Sequence, residues 1–200
     1  MCQTPLLCFP FMTRMTKVLF LAVLIISAAT CGDSPSGPGG NASLTLKLTD
    51  SPYSDARAVL VTFSTVSAHR TGGDFSVIPF SGGATTRTCD LKKLVGAEDI
   101  LGTVALPAGE YTQIRLMVTS ASLYFDSPTI GPACAPAVPV PAGASAALTI
   151  PSGEVKLNRP FSLAAETSTT ILLDFRGDDS IHSNGSGYTM TPVIGIVSVQ

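Results

Sequence analysis

The sequence predicts an all-β fold, an antiparallel β-sandwich, and three observations carry the prediction. Short segments rich in Val, Leu, Ile and Thr alternate apolar with polar residues, the period of a half-buried strand. Gly, Pro, Asp and Ser punctuate them at short spacing, and no helical period alternates with them, which sets aside a parallel α/β sheet. Only 13% of residues are charged, while Thr, Ser, Val, Ala and Gly dominate, a balance suited to strands and turns. The 200 residues, less a targeting segment, make one domain large enough to bury a core without staples.

The first strand places Leu44, Leu46 and Leu48 inward and Thr45, Lys47 and Thr49 outward. Asp50 then caps a turn through Asp55, and Pro52 cannot continue a ladder. The next strand carries Val59, Val61 and Phe63 on one face, and the apolar parity switches to Val66 and Ala68, as a bulge at Ser64–Thr65 produces. Arg70 to Asp74 reads as a hairpin loop, and Phe75 to Phe80 as a short strand that Pro79 confines to an edge or an end. Ser81 to Thr88 is a polar loop, Cys89 to Gly96 a short helical turn, and Asp99 to Leu106 a lead-in to the next element.

Leu106 to Val118 is the stretch around which the domain is organised. A tight turn at Pro107 to Gly109 feeds a strand with Ile114, Leu116 and Val118 on one face and Arg115 on the other. Tyr111 just after the turn suits a tyrosine corner, in which the hydroxyl ties a sheet-to-sheet crossing to nearby backbone. Its parity is opposite to that of Ile114, so Tyr111 lies off the core stripe or a bulge intervenes. Ser122 to Asp126 continues as a strand. Residues 127–145, rich in Pro and Ala, form an insertion or long loop. Strand candidates follow at 147–150, 155–157, 161–163 and 169–175. A polar loop covers Arg176 to Gly187, and one closing strand covers Tyr188 to Val199.

At the front, residues 18–29 form an apolar run behind Arg14 and Lys17, a signal-peptide core too short to span a bilayer comfortably. Cys2, Cys8 and two prolines precede that charged region, so translation is expected to start at Met15 or Met12, with residues 1–30 the signal segment as numbered. Cys31 then stands at the cleavage site before a Gly/Ser/Pro tether through residue 42, an arrangement that resembles a bacterial lipobox with a lipid-modified Cys31. The alternative is an ordinary signal peptide cut nearby, leaving a secreted protein with a free thiol. Cys89 and Cys134 remain as an even pair in an exported chain, for which a disulfide is the default and two unpaired thiols the alternative. Formal net charge is −2; without Arg14 and Lys17 the chain holds 10 basic against 14 acidic residues, or −4. No basic run occurs, so nucleic acid is not an expected partner.

Little in the sequence points to chemistry. His69 and His182 are the only histidines, far apart and with no cysteine at metal spacing beside either, too few ligands for zinc. No Gly-x-Ser-x-Gly elbow and no phosphate-binding glycine loop is present. A hydrolase would have to use one of the two histidines. Asp50, Asp174, Asp178 and Asp179 sit at strand ends or in a loop, where oxygen ligands for calcium gather; turn capping is the plainer reading. There is no Trp, and of the four tyrosines Tyr53, in a turn, is the candidate platform for a glycan.

Five motifs in order, Leu48 to Pro52, Leu106 to Leu116, Ile150 to Gly153, Leu173 to Phe175 and Thr191 to Ile194, resemble one family, domain-of-unknown-function family 4382, found in bacterial and archaeal envelope proteins. The resemblance covers residues 43–198 and implies a sandwich of immunoglobulin or prealbumin kind and residence at the cell surface; it supplies no activity. The expected role is therefore non-catalytic and without a cofactor: a lipid-anchored envelope protein that is structural, adhesive or binding, with an envelope protein or a glycan as partner. A secreted glycan- or solute-binding module is the alternative, and a hydrolase of unknown type the lesser one.

Overall fold

The computed structural model describes residues 39–51 and 53–200. The signal segment, both start sites, Cys31 and most of the tether lie outside the described residues. Fourteen strands follow in the described chain. The first are β1 (Asn41–Ser51), β2 (Ala58–Arg70), β3 (Phe75–Val77), β4 (Arg87–Asp90), β5 (Asp99–Pro107) and β6 (Gly109–Tyr124). Then come β7 (Cys134–Ala135), β8 (Ser145–Thr149), β9 (Glu154–Leu157), β10 (Phe161–Leu163) and β11 (Ser168–Arg176). A single helical turn, α1 (Gly177–Ser180), leads to β12 (Ile181–Ser183), β13 (Tyr188–Met190) and β14 (Ile194–Val199).

The strands make an all-β sandwich of two mixed sheets. One has the order β14-β11-β1-β5. The other is built on the two longest strands, β2 and β6, paired antiparallel along almost their whole length. The far edge of β2 takes β3 and β4, with β7 beyond β4; the far edge of β6 takes β10, β9 and β8 in turn, with β13 and β12 beyond β8. Two pairings depart from a purely antiparallel pattern: β1 with β11, and β8 with β13, run parallel. Both join strands far apart in the chain, where no hairpin imposes the antiparallel sense.

The core lies between the sheets. Leu44, Leu46 and Leu48 of β1 and Ile171, Leu173 and Phe175 of β11 are fully buried, as are Val61, Phe63, Ile114, Leu116 and Leu123 of the second sheet. At about 25 cal/mol per Å² of apolar surface removed from water, each such side chain contributes roughly 1.5–3 kcal/mol. The parity switch in β2 has the expected cause. Phe63 pairs Val118 and Thr65 pairs Met117, so Ser64 is left over as a bulge that keeps both Phe63 and Val66 inward.

The chain crosses from the first sheet to the second at Pro107 to Gly109, where β5 ends and β6 begins. Gly109 holds φ at 144°, a conformation that favours glycine, and a Cβ there would stand 3.1 Å from the Arg70 guanidinium. Tyr111 is fully buried, stacks on Phe161 at 5.3 Å and donates its hydroxyl to the Pro107 carbonyl at 2.8 Å. The corner is the tyrosine corner the sequence suggested. A second bulge supplies the parity: Tyr111 pairs Arg70 while Gln113 pairs His69, leaving Thr112 over.

Several boundaries differ from expectation. Asp99 to Leu106 is a full strand, β5, hidden by its mixed burial pattern. The polar stretch from Arg176 contains α1 and β12. The closing strand is two strands, β13 in the second sheet and β14 in the first. Pro192 cannot donate to a ladder, and the buried Ser180 holds the crossing instead, accepting Thr191 N–H on its carbonyl at 2.8 Å and Val193 N–H on its hydroxyl at 2.9 Å. Cys89 and Cys134 form a disulfide that ties β7, inside the 127–145 insertion, to β4. Thr129 and Val138 of the insertion are buried, so it packs as part of the body.

Candidate functional site

The site is written in the register of the second sheet. Along β2, Ser67 and His69 point away from the core, as do Gln113 and Arg115 on β6 and Glu154 and Lys156 on β9. Pairing brings these residues into rows. His69 sits between Phe75 of β3 and Gln113 of β6, and the chain leaving β9 carries Asn158 beside Gln113. One step along, Ser67 lies between Val77 and Arg115, and Arg115 faces Lys156. Adjacent strands are about 4.8 Å apart, so each row presents side chains at that interval.

Of these, His69, Phe75, Gln113, Arg115 and Asn158, together with Thr112 and Pro160, line an open groove of about 540 Å³. Hydrogen bonds fix its floor. His69 Nδ1 is 2.8 Å from Thr112 Oγ1, the Gln113 amide donates to Asn158 Oδ1, and Arg115 Nη2 donates to Gln113 Oε1 at 3.0 Å. The Arg115 guanidinium lies 4.2 Å over the Phe75 ring, and His69 packs on the same ring at 4.8 Å. Phe75 remains 39% exposed, a large apolar surface held in place by two polar neighbours. Side chains so braced keep their orientation before any ligand arrives, which lowers the entropy cost of binding.

Glu154 supplies the countercharge. It bonds Lys156 Nζ at 2.6 Å and stands 3.5 Å from Arg115 Nε. The Lys156 hydrogen bond, more than the charges of Lys156 and Arg115, holds its carboxyl below the usual range. Arg115 Nε, hidden from solvent, makes no hydrogen bond with the described residues.

A larger depression of about 700 Å³ opens beside the insertion, around Asp90, Lys92 and Lys93. Four of its six charged lining residues, Asp90, Lys92, Lys93 and Asp126, are committed to bonds within the fold. Asp90 is fully buried and accepts from Val59 N–H, Lys92 N–H and the Thr129 hydroxyl. Lys92 and Lys93 donate to the carbonyls of Tyr53 and Gly131, each at 2.7 Å. Most of that depression's charge is thus spent within the fold, and the groove on the outer face of β2, β3 and β6 is the better candidate site.

Of the residues singled out from sequence, Tyr53 is corrected: it is only 6% exposed and belongs to the core, so it offers no platform. The four aspartates lie near one another, Asp174 and Asp179 each 3.9 Å from Arg176, but do not form a ligand set. Asp50 continues the inward stripe of Leu44, Leu46 and Leu48, whereas Asp174 points outward, opposite Thr49. Asp178 accepts from Ser54 N–H at 2.9 Å, and Asp179 is exposed. Among the described residues no group of three or more His, Cys, Asp or Glu is placed to hold a metal ion. His182 stands on β12, with β13, β8 and β6 between it and the β2 strand of His69, so the two histidines share no site.

Asp50 holds the most unusual carboxyl of the domain. It is 5% exposed, and neither oxygen has a hydrogen-bond partner among the described residues. Burial, then the nearby Asp174 charge, pushes its pKa up to about 8; Lys92 opposes the shift, while Asp90 and Asp178 add to it. A pKa near 8 keeps it protonated at neutral pH, at the end of the inward stripe of β1, placed there by an alternation that the aspartate and the following proline disguise.

Sequence reasoning missed Phe75, Gln113, Arg115 and Asn158. The two local signals were the outward parity of Arg115 and the position of Phe75 directly after a hairpin loop.

Fold and site together define a class: a β-sandwich domain with a polar and aromatic groove across the outer face of its larger sheet. The chain belongs to the family described as a domain of unknown function (DUF4382), whose profile matches residues 41–192. No curated protein and no solved structure matches the chain. Among the described residues no helix is long and apolar enough to cross a membrane.

Proposed function

We propose that this protein is a non-catalytic, lipid-anchored protein of the cell envelope that binds a small solute or glycan unit in the groove built on β2, β3, β6 and β9. The observation that carries the proposal is the row Phe75, His69, Gln113 and Asn158. It sets an exposed aromatic ring and hydrogen-bonding side chains across neighbouring strands, held by one another and not by the core. The anchor rests on the apolar run at 18–29 and Cys31 with its tether. A freely secreted module is the second reading, favoured if Cys31 is not acylated, and it would use the same groove.

Two experiments test this. Intact mass spectrometry of protein from the host membrane fraction is expected to find a chain that starts at an acylated Cys31. Retention of the folded protein on a glycan and solute panel is expected to be selective and to fall in Phe75→Ala, whose side chain is not part of the buried core. Retention equal for parent and variant, or none for either, overturns the groove as the binding site.

A further inference from the structure

We infer that the ligand of the groove is an acidic glycan, a pyranose unit that carries a carboxylate. This inference rests on the binding reading above and names the chemistry of its ligand.

Charge is the first argument. The residues that line the groove include Arg115 and no Asp or Glu. Lys156 faces Arg115 in the register, and Glu154 is the single carboxylate that serves both. Two cations against one anion leave an excess positive charge beside the groove, in a chain whose net charge is −2. Arg115 also has terminal donors to spare: one Nη2 bond goes to Gln113, while the buried Nε faces Glu154 at 3.5 Å. A guanidinium braced 4.2 Å over the Phe75 ring with donors to spare suits a carboxylate, to which its hydrogen bonds are charge-assisted.

The second argument is shape. Gln113, Asn158, Thr112 and His69 offer donors and acceptors spaced by neighbouring strands, about 4.8 Å apart, an interval comparable with the span of one sugar ring. The exposed part of Phe75, with Pro160 also in the lining, gives the C–H face of a pyranose an apolar surface to lie on. A simple carboxylate would use Arg115 and leave the polar row idle. A neutral sugar would use the row and leave Arg115 unmatched.

The test is calorimetric titration of the full-length protein with trimers of galacturonate, glucuronate and mannuronate, each beside its uncharged methyl ester. At least one acid is expected to bind about tenfold more tightly than its ester, the worth of one charge-assisted hydrogen bond. Arg115→Gln is expected to bring the acid down to the level of the ester and leave the ester unchanged. Glu154→Gln frees positive charge and is expected to tighten acid binding severalfold, a gain that a misfolded variant cannot give. If acids and esters bind alike, or Arg115→Gln weakens both equally, the acidic ligand is wrong and the binding groove stands. If no acid binds but neutral glycans are retained, the inference again falls alone. If nothing binds, the binding reading falls with it.

Discussion

Replacing Asp50 by Asn tests the physical account of the core most directly. A carboxyl with a pKa near 8 in the folded protein and about 3.9 in the unfolded chain keeps, between those values, a proton that the unfolded chain has lost. Its folded pKa is raised, so the associated stability is fully present below about pH 4 and is lost as pH rises through about 8. The slope is about 1.4 kcal/mol per pH unit, which amounts to roughly 4 kcal/mol by pH 7. Asn has nearly the same shape and stays neutral throughout. In urea unfolding followed by circular dichroism, parent and Asp50→Asn should be within about 1 kcal/mol of each other near pH 4. The variant should then pull ahead as pH rises, with the difference levelling above pH 8. An Asp50→Asn protein less stable than the parent at pH 9 would refute the reasoning, because it would mean that the folded state keeps Asp50 ionised and partnered. The partner would then be a cation if a chelator also lowered the parent's melting temperature.

Three further outcomes follow from the same packing. Tyr111→Phe removes the hydroxyl that holds the Pro107 carbonyl and should cost about 1–2 kcal/mol in urea unfolding, with the fold unchanged. Gly102→Ala places a Cβ 2.2 Å from the Pro79 carbonyl, a clash with backbone that should cost about 1–3 kcal/mol or more and be read as a lower melting temperature. Removing the disulfide by Cys89→Ala with Cys134→Ala opens a loop with a sequence separation of 45, which should lower stability by up to about 4 kcal/mol on the chain-entropy model. The last change should also expose the 127–145 insertion to proteolysis before the rest of the domain.

The fold class, most strand positions and the corner were legible in the sequence because they depend on local rules. Alternation at Leu44, Leu46 and Leu48 follows from the two-residue period of a strand, whatever the strand pairs with. The bulge at Ser64 was readable because an apolar stripe that changes parity must have an extra residue to do so. Tyr111 was readable because its place after Leu106 to Gly109 marks a sheet crossing, and Cys89 with Cys134 because they were the cysteines left in pairs.

Local signals misled where two of them competed. Asp50 lies in phase with three inward leucines, yet aspartate before Ser51-Pro52 reads as a turn cap; the strand won because β11 pairs it through Ser51. Tyr53 followed the same turn inward. The last stretch reads as one strand from Tyr188, but Pro192 and the buried Ser180 divide it between the sheets.

By itself the sequence determined which residues face in and which face out along each strand, because the backbone period is a property of a few consecutive residues. It left open which strands are neighbours and at what register. Phe75, His69, Gln113 and Asn158 span four separate segments, and each is an ordinary outward or exposed residue of its own segment. That they form one row follows from the pairing of distant strands, because register is set by many weak pairings between separate segments and by three one-residue shifts along the β2–β6 ladder.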